Sequence, residues 1–294
     1  MESKFFEFSK IQPIGFFDPV NLLDIYVPLT LEKKWSNTTS IQIRSFPERL
    51  LSDDKYILII DNAGMGKSTI AKRIFIGACQ YNKSISTYDD KKNKTPLGIP
   101  VFVDLRNLNS ETNIIKYILN QIEHLSNSFD KNTLKYLLEH GKYLFILDGY
   151  DEIQHTHKQE VTKSISSFIR KVPHSSFIIT SRQDNSLSAF HTFSRYSIRP
   201  LTEEESYQLI NNLDFGGELA KTLIQQLKKD RSGVEEFLSN PLLITLLFTT
   251  WGYTPHLPHQ KSDYYEQVYD ALFYRHNVTK EQLYEGEKLC GLSK

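Results

Sequence analysis

Cysteine is scarce in this sequence: Cys79 and Cys290 are the only two among 294 residues, and they lie far apart. That scarcity fits a reducing, cytoplasmic compartment. Cys79 falls in an apolar helical stretch and reads as a buried thiol, not a reactive one. A charge excess of either sign is also missing, since 35 Lys and Arg balance 35 Asp and Glu. No global field therefore points to nucleic acid or to an anionic membrane. Long hydrophobic runs are lacking too. The longest, Pro241 to Leu247 and on to Trp251, is too short and too rich in threonine to span a bilayer. Met1 to Lys10 is mixed and charged, with no signal-peptide core. There is no internal repeat. His155 and His157 stand close together but have no cysteine or acidic partner at metal-ligand spacing, so a zinc site is not expected. No Ser/His/Asp or Cys/His constellation stands out.

What remains is an ordinary globular composition, 39% hydrophobic and 24% charged, long enough for one large α/β domain and a smaller helical one. Residues 1–50 show little clear period beyond a short apolar stretch at Ile25 to Leu31. Tyr56 to Ile60 is a continuous β-branched and apolar run, the pattern of a buried parallel strand. After a Gly-rich turn, Ile70, Ile74 and Ala78 recur at helical spacing. The polar stretch 81–98 is expected to be a surface loop. Ile99 to Leu105 reads as the next strand. Ser110 reads as the N-cap of a helix striped by Ile114, Ile118 and Ile122. Tyr143 to Leu147 and Phe177 to Ile179 are further strands, separated by a helix through Val161, Ile165, Phe168 and Ile169; Tyr196 to Ile198 is a candidate fifth.

The alternation predicts a parallel sheet with helices on both faces. Beyond Pro200 the sequence is helical, opened by the capping-box pair Thr202 and Glu205. The expected division is an N-terminal segment 1–50, a nucleotide-binding domain 51–200, a helical domain 201–260 and a further domain beginning at 261–294.

The chemistry concentrates in two motifs. Asp61-Asn62-Ala63-Gly64-Met65-Gly66-Lys67-Ser68-Thr69 lies between a buried strand and an amphipathic helix, the context a P-loop needs. Backbone N–H groups can approach phosphate oxygens only where side chains are small and dihedrals free, which Gly64 and Gly66 supply. The helix beginning near Lys67 turns its positive end to the anion. Lys67 adds a full charge toward the β- and γ-phosphates, and the Ser68 hydroxyl can ligate Mg²⁺. The ligand class is a nucleoside triphosphate, ATP with its ADP product. One position departs from the usual pattern: Asp61 stands where glycine begins the motif, bringing a carboxylate near the phosphates unless it points away.

The second motif is Leu144-Phe145-Ile146-Leu147-Asp148-Gly149-Tyr150-Asp151-Glu152. An acid at the carboxyl end of a buried parallel strand lies beside the P-loop, so Asp148 is the expected metal-side carboxylate. Asp151 or Glu152 would orient the attacking water, with Glu152 favoured.

Asp-Gly-Tyr-Asp-Glu, with glycine directly after the strand aspartate, resembles the NACHT branch of the STAND ATPases, the switch modules of NOD-like receptors and of bacterial anti-phage receptors. The P-loop Ala63 to Thr69 resembles NACHT as well. Ile178-Ile179-Thr180-Ser181-Arg182 is similar to the family's sensor strand, which implies that Arg182 faces the γ-phosphate. Asn240-Pro241-Leu242-Leu243 and Tyr26-Val27-Pro28-Leu29 resemble segments that border adenine, which implies base-binding roles for Pro241, Tyr26 and Pro28. Tyr264 to His276 is similar to the entry of a winged-helix domain.

The resemblance implies an α/β P-loop NTPase followed by a small helical domain and the start of a winged-helix domain. It also implies slow Mg²⁺-dependent ATP hydrolysis governing homo-oligomerisation of a longer innate-immune or anti-phage protein. Effector and sensor domains would lie elsewhere in the parent chain, which is expected to continue past Lys294. The helix from Ser262 is expected to carry Tyr265, Val268, Leu272 and Tyr269 on its apolar side. The alternatives are a motor ATPase of the AAA or helicase class, against which stands the lack of a basic nucleic-acid stripe, and a small-molecule kinase.

Overall fold

The computed structural model describes residues 7–14, 16, 18–35, 40–87, 98–109, 113–123 and 131–271. In chain order the elements are β1 (Lys10–Ile11), β2 (Val20–Asn21), α1 (Leu22–Ile25), β3 (Leu29–Lys33), β4 (Ser40–Ile43), α2 (Glu48–Asp53), β5 (Tyr56–Ile60) and α3 (Lys67–Thr87). These are followed by β6 (Ile99–Asp104), α4 (Ile114–Glu123), α5 (Lys131–His140), β7 (Tyr143–Asp148), α6 (His155–Lys171), β8 (Ser176–Ser181) and β9 (Ser194–Ile198). The described chain ends with α7 (Glu203–Leu213), α8 (Glu218–Lys229), α9 (Pro241–Tyr253) and a helix over 261–271. Among the described residues no helix is long and apolar enough to cross a membrane.

Two compact units emerge. The first holds the described residues up to Ser9 together with Pro28–Arg199; the second holds Lys10–Val27 and the chain from Pro200 onward.

The first unit is a seven-stranded sheet of order β4-β3-β9-β5-β8-β7-β6. The five strands from β9 to β6 are parallel, and β3 and β4 add an antiparallel edge. Leu58, Ile60, Phe145, Leu147, Phe177 and Ile179 share one core with Ile114, Ile118, Val161, Ile165 and Phe168 of the helices. Their alternates Ile57, Ile59, Ile146 and Ile178 are equally buried, and α3 packs on β6, β7 and β8. Burial on both faces is why these strands read as unbroken apolar runs.

One local expectation changes, and two others can be placed. Helix α3 continues through residues 81–87, where a loop was expected, because polar side chains suit the outer face of a helix as well as a loop. Ser110 lies outside the described residues, and Asn113 serves as acceptor at the start of α4, taking the N–H groups of Ile115 and Lys116 at 3.1 and 3.2 Å. Cys79 is half-buried, and burial pushes its thiol up to about 11, an unreactive setting.

At the amino ends of these strands a carboxylate ties three segments. Asp54 accepts from Lys33 Nζ at 2.7 and 2.8 Å, from Ser194 Oγ and from the Tyr196 hydroxyl. Burial pushes its pKa up, but these four hydrogen bonds outweigh that and hold it below the usual 3.8. A depressed carboxylate stabilises the fold above its unfolded pKa, and the contribution fades as pH falls through the folded value. We therefore expect Asp54→Asn to lower unfolding free energy by about 1–3 kcal/mol at neutral pH. The deficit against the parent should shrink below pH 3.8, as denaturant titrations at both pH values would show.

In the second unit β1 and β2 form a short antiparallel ladder, and the Asn21 side chain caps α1. Phe16 stacks on Phe248, and Thr249 Oγ1 donates to the Ile14 carbonyl. The expected capping box of Thr202 and Glu205 opens α7. In the helix over 261–271 the buried side is Tyr264, Val268 and Ala271, while Tyr265 and Tyr269 are exposed. Val268 is buried as expected, but Tyr264 takes the place expected for Tyr265, and Tyr269 faces outward. The cause is Tyr264, whose ring stacks on Phe237 at 4.0 Å and whose hydroxyl donates to the Leu243 carbonyl. Leu272 and the rest of 272–294, where the winged-helix domain was expected to begin, lie outside the described residues.

Candidate functional site

Strand β5 delivers the chain to Asp61, and α3 leaves from Lys67, so the loop between them is a strand–turn–helix junction. Gly64 and Gly66 hold φ of 81° and 90°, the left-handed region that other residues enter at a cost. At Gly66 a Cβ would also stand 2.7 Å from Leu29 Cδ1, so the first residue of β3 closes on the loop. The Met65 side chain is buried, and Ser68 and Thr69 occupy the first turn of α3. Lys67 Nζ donates to the carbonyls of Asp61 and Asn62 at 2.9 and 2.7 Å. Burial lowers the pKa of Lys67, and the nearby charges of Asp151 and Asp61 oppose that.

Both oxygens of the Asp61 carboxylate are engaged by backbone N–H groups. One oxygen accepts from Ile198 N at 2.7 Å at the end of β9, the other from Asn62 N at 2.8 Å. Its own N–H donates to the Ser181 carbonyl. Where the usual motif carries a flexible glycine, this chain carries a brace. Asp61→Ala leaves the part-buried Ile198 N–H without its partner and should cost about 1–3 kcal/mol. Asp61→Asn, whose amide oxygen can still accept, should cost less; equal melting temperatures for the two variants would show the brace to be unimportant.

One strand, β8, separates β5 from β7. From it Thr180 Oγ1 donates to Asp148 Oδ1 and accepts the Gly149 N–H at 3.0 Å. Asp148 is 4% exposed. Burial raises its pKa, as does Asp104 abreast of it on β6, while hydrogen bonds from Thr180 and Ser68 and the charge of Lys72 work the other way. A buried carboxylate within hydrogen-bonding reach of the Ser68 hydroxyl is a hard-oxygen pair that fits Mg²⁺, which takes few protein ligands beside phosphate and water. Ser68 and Asp148 would hold the ion, and it would supply charge neutralisation at the phosphates.

The two acids of the turn after β7 have different partners. Asp151 Oδ1 accepts from Arg182 N at 2.9 Å, and its Oδ2 lies 3.1 Å from Arg182 Nε. Glu152 faces Arg106, with Oε2 at 3.5 Å from Nε. Burial raises the Glu152 pKa, Arg106 pulls it back, and Asp151, Asp148 and Asp104 push it further up. Arg106 is itself held by both oxygens of Asp104, whose hydrogen bonds raise its pKa.

The first unit thus brings together Gly64 to Thr69, Asp148, Asp151, Glu152 and Arg182. Pro28 lies in the same unit, at the entry to β3. Tyr26 and Pro241 belong to the second unit, Tyr26 closing α1 and Pro241 at the first position of α9 behind the Asn240 cap. Arg106 and Thr180 were missed as site residues. The signal for Arg106 was a basic residue two places after Asp104, itself at the end of an apolar strand, as Asp148 is.

The profile of the NACHT domain matches residues 55–213, more than half of the chain. The chain belongs to the NACHT family. As a NACHT domain it is a nucleotide-binding P-loop ATPase module. No curated protein matches it. Solved structures similar to it include a Walker-type ATPase of Pyrococcus abyssi, at 11% identity and a TM-score of 0.45, covering 82% of this chain and 73% of that one. Another is the Aeropyrum pernix ORC1 protein in complex with DNA, at 12% identity, TM-score 0.45, covering 81% of this chain and 63% of that one. A third is the replication initiator DnaA bound to AMPPCP and single-stranded DNA, at 14% identity, TM-score 0.44, covering 71% of this chain and 60% of that one.

Proposed function

We propose that this NACHT domain is a nucleotide-governed switch, in which slow Mg²⁺-dependent hydrolysis of ATP controls the assembly of a longer signalling protein. The immune or anti-phage setting and the oligomer come from the family resemblance. The observation that carries the slow turnover is the pairing of both candidate acids with arginines, Asp151 with Arg182 and Glu152 with Arg106. Glu152 is the more exposed of the two and the one left to orient water. The water attacks the γ-phosphorus, the bond from that phosphorus to the β,γ-bridging oxygen breaks, and ADP and phosphate result. Lys67 and the loop N–H groups hold the phosphates, and Arg182 takes up charge on the γ-phosphoryl oxygens. Before the reaction Glu152 must exchange its Arg106 partner for the water, which raises the barrier.

The test is the nucleotide retained through purification together with the steady-state rate. The expected result is bound ADP or ATP and turnover far below the ~1 s⁻¹ at the low end of ordinary enzymes. Rapid basal turnover with no retained nucleotide would instead indicate a motor-type ATPase.

A further inference from the structure

One buried cation in the first unit lies outside the phosphate loop and the acid pair. Lys158, on α6, is 7% exposed. Its Nζ donates to the Tyr150 carbonyl at 2.6 Å, lies 3.1 Å from Asp184 Oδ2, and sits 4.3 Å from the centre of the Tyr150 ring. A buried ammonium is costly unless paired, and an apolar side chain of the same length would fill the space more cheaply. The groups it joins are therefore informative. Tyr150 is the first residue of the turn that carries Asp151 and Glu152. Asp184 follows Arg182 by two residues, and its other oxygen accepts from Ser186 N at 2.8 Å and from Ser186 Oγ.

Around this centre everything is fixed. The Tyr150 hydroxyl meets Thr162 Oγ1 at 2.6 Å, which in turn donates to the Lys158 carbonyl at 2.6 Å. The Tyr150 ring packs edge-on against Phe190 at 5.4 Å. One ammonium thus ties the acid turn, α6 and the segment behind Arg182.

We propose that Lys158 is a positioning residue of the ATPase site, setting Asp151 and Glu152 through the Tyr150 carbonyl and Arg182 through Asp184. It rests on the ATPase reading of those three residues. It touches neither phosphate nor metal ligand, so its effect falls on turnover and leaves ground-state affinity alone.

The experiment compares the parent, Lys158→Met, Asp184→Asn and the double variant in four measurements: ATP affinity by calorimetry, kcat, melting temperature and amide hydrogen exchange. The expected result is affinity within about threefold of the parent and kcat lower by about 10–100-fold, the scale on which small misplacement acts. The double variant should lose no more than Lys158→Met alone, since both break one link. Its melting temperature should stay close to the parent's, because an ion pair buried at Lys158 and part-exposed at Asp184 is removed on both sides. The amides of Tyr150, Asp151 and Arg182 should exchange faster in the variants, those of α3 unchanged.

Parental kcat in the double variant would overturn the proposal, as would a kcat loss that tracks melting temperature across all variants. A parent that binds ATP but never turns it over would refute the ATPase reading. Lys158 would then be judged on exchange alone, and unchanged exchange at Tyr150, Asp151 and Arg182 would end its role. If Lys158→Met fails to fold, Asp184→Asn carries the same comparison.

Discussion

Replacing Lys67 by alanine should remove most nucleotide binding. The ammonium is half-buried at the start of α3, where it holds the Asp61 and Asn62 carbonyls within the field of Asp151, Asp61 and Asp148. A phosphate approaching the loop N–H groups meets a cation already desolvated in part, so the charge-assisted contact is worth more than at a free surface. Loss of a hydrogen-bonded charge of this kind costs about 1.5–3 kcal/mol, or roughly 10–150-fold in affinity. Isothermal calorimetry with ATP and ADP measures it, and an unchanged dissociation constant would mean that the loop is not a phosphate site. Circular dichroism should show the fold intact.

Glu152→Gln is expected to keep ATP bound and to cut hydrolysis by about 10²-fold or more, the scale of a water-orienting group. Asp151→Asn should also keep ATP bound but act by a different route. It weakens the bonds that hold Arg182 N and Nε, so its loss should be partly shared by Arg182→Ala and should not add to it. Single-turnover rates with bound ATP separate the two acids. Parental rates in both variants would remove the acid turn from the mechanism. The pH dependence has a definite sign: Glu152 must be ionised to accept from water, and burial raises its pKa above the ordinary 4.5. The rate should therefore fall as pH drops through that raised value, and Glu152→Gln should abolish the dependence.

The phosphate loop and the acidic strand were legible because each is local: glycine, lysine and aspartate at fixed offsets from one apolar run. What depended on neighbours across the sheet was not. Thr180 reaches Asp148 only because β8 lies between β5 and β7, and strand order is not written in any window of sequence. Arg106 meets Glu152 because β6 pairs beside β7 at the sheet edge. Asp61 was recognised as a departure, but its direction turns on Ile198, 137 residues away. Strand β3 reads as a short apolar patch because its first three residues, Leu29, Thr30 and Leu31, are all buried, without alternation. Helix α5 escaped notice because Leu138 is buried while Tyr136 and Leu137 are exposed, which blurs its period. The face of the helix over 261–271 was misread because adjacent tyrosines leave a one-position ambiguity that only the Phe237 stack resolves.

The placement of residues 10–27 in the second unit has a consequence for how the chain comes off the ribosome. Ile14 is translated 235 residues before Thr249, whose hydroxyl its carbonyl accepts. At about 5–20 residues per second, this leading stretch waits roughly 10–50 s for its partner. The P-loop sheet can close in that interval with the stretch still unattached. Phe16 then belongs among the surfaces a nascent-chain chaperone would meet, and the second unit is completed only when this stretch is joined by α9, made 235 residues later.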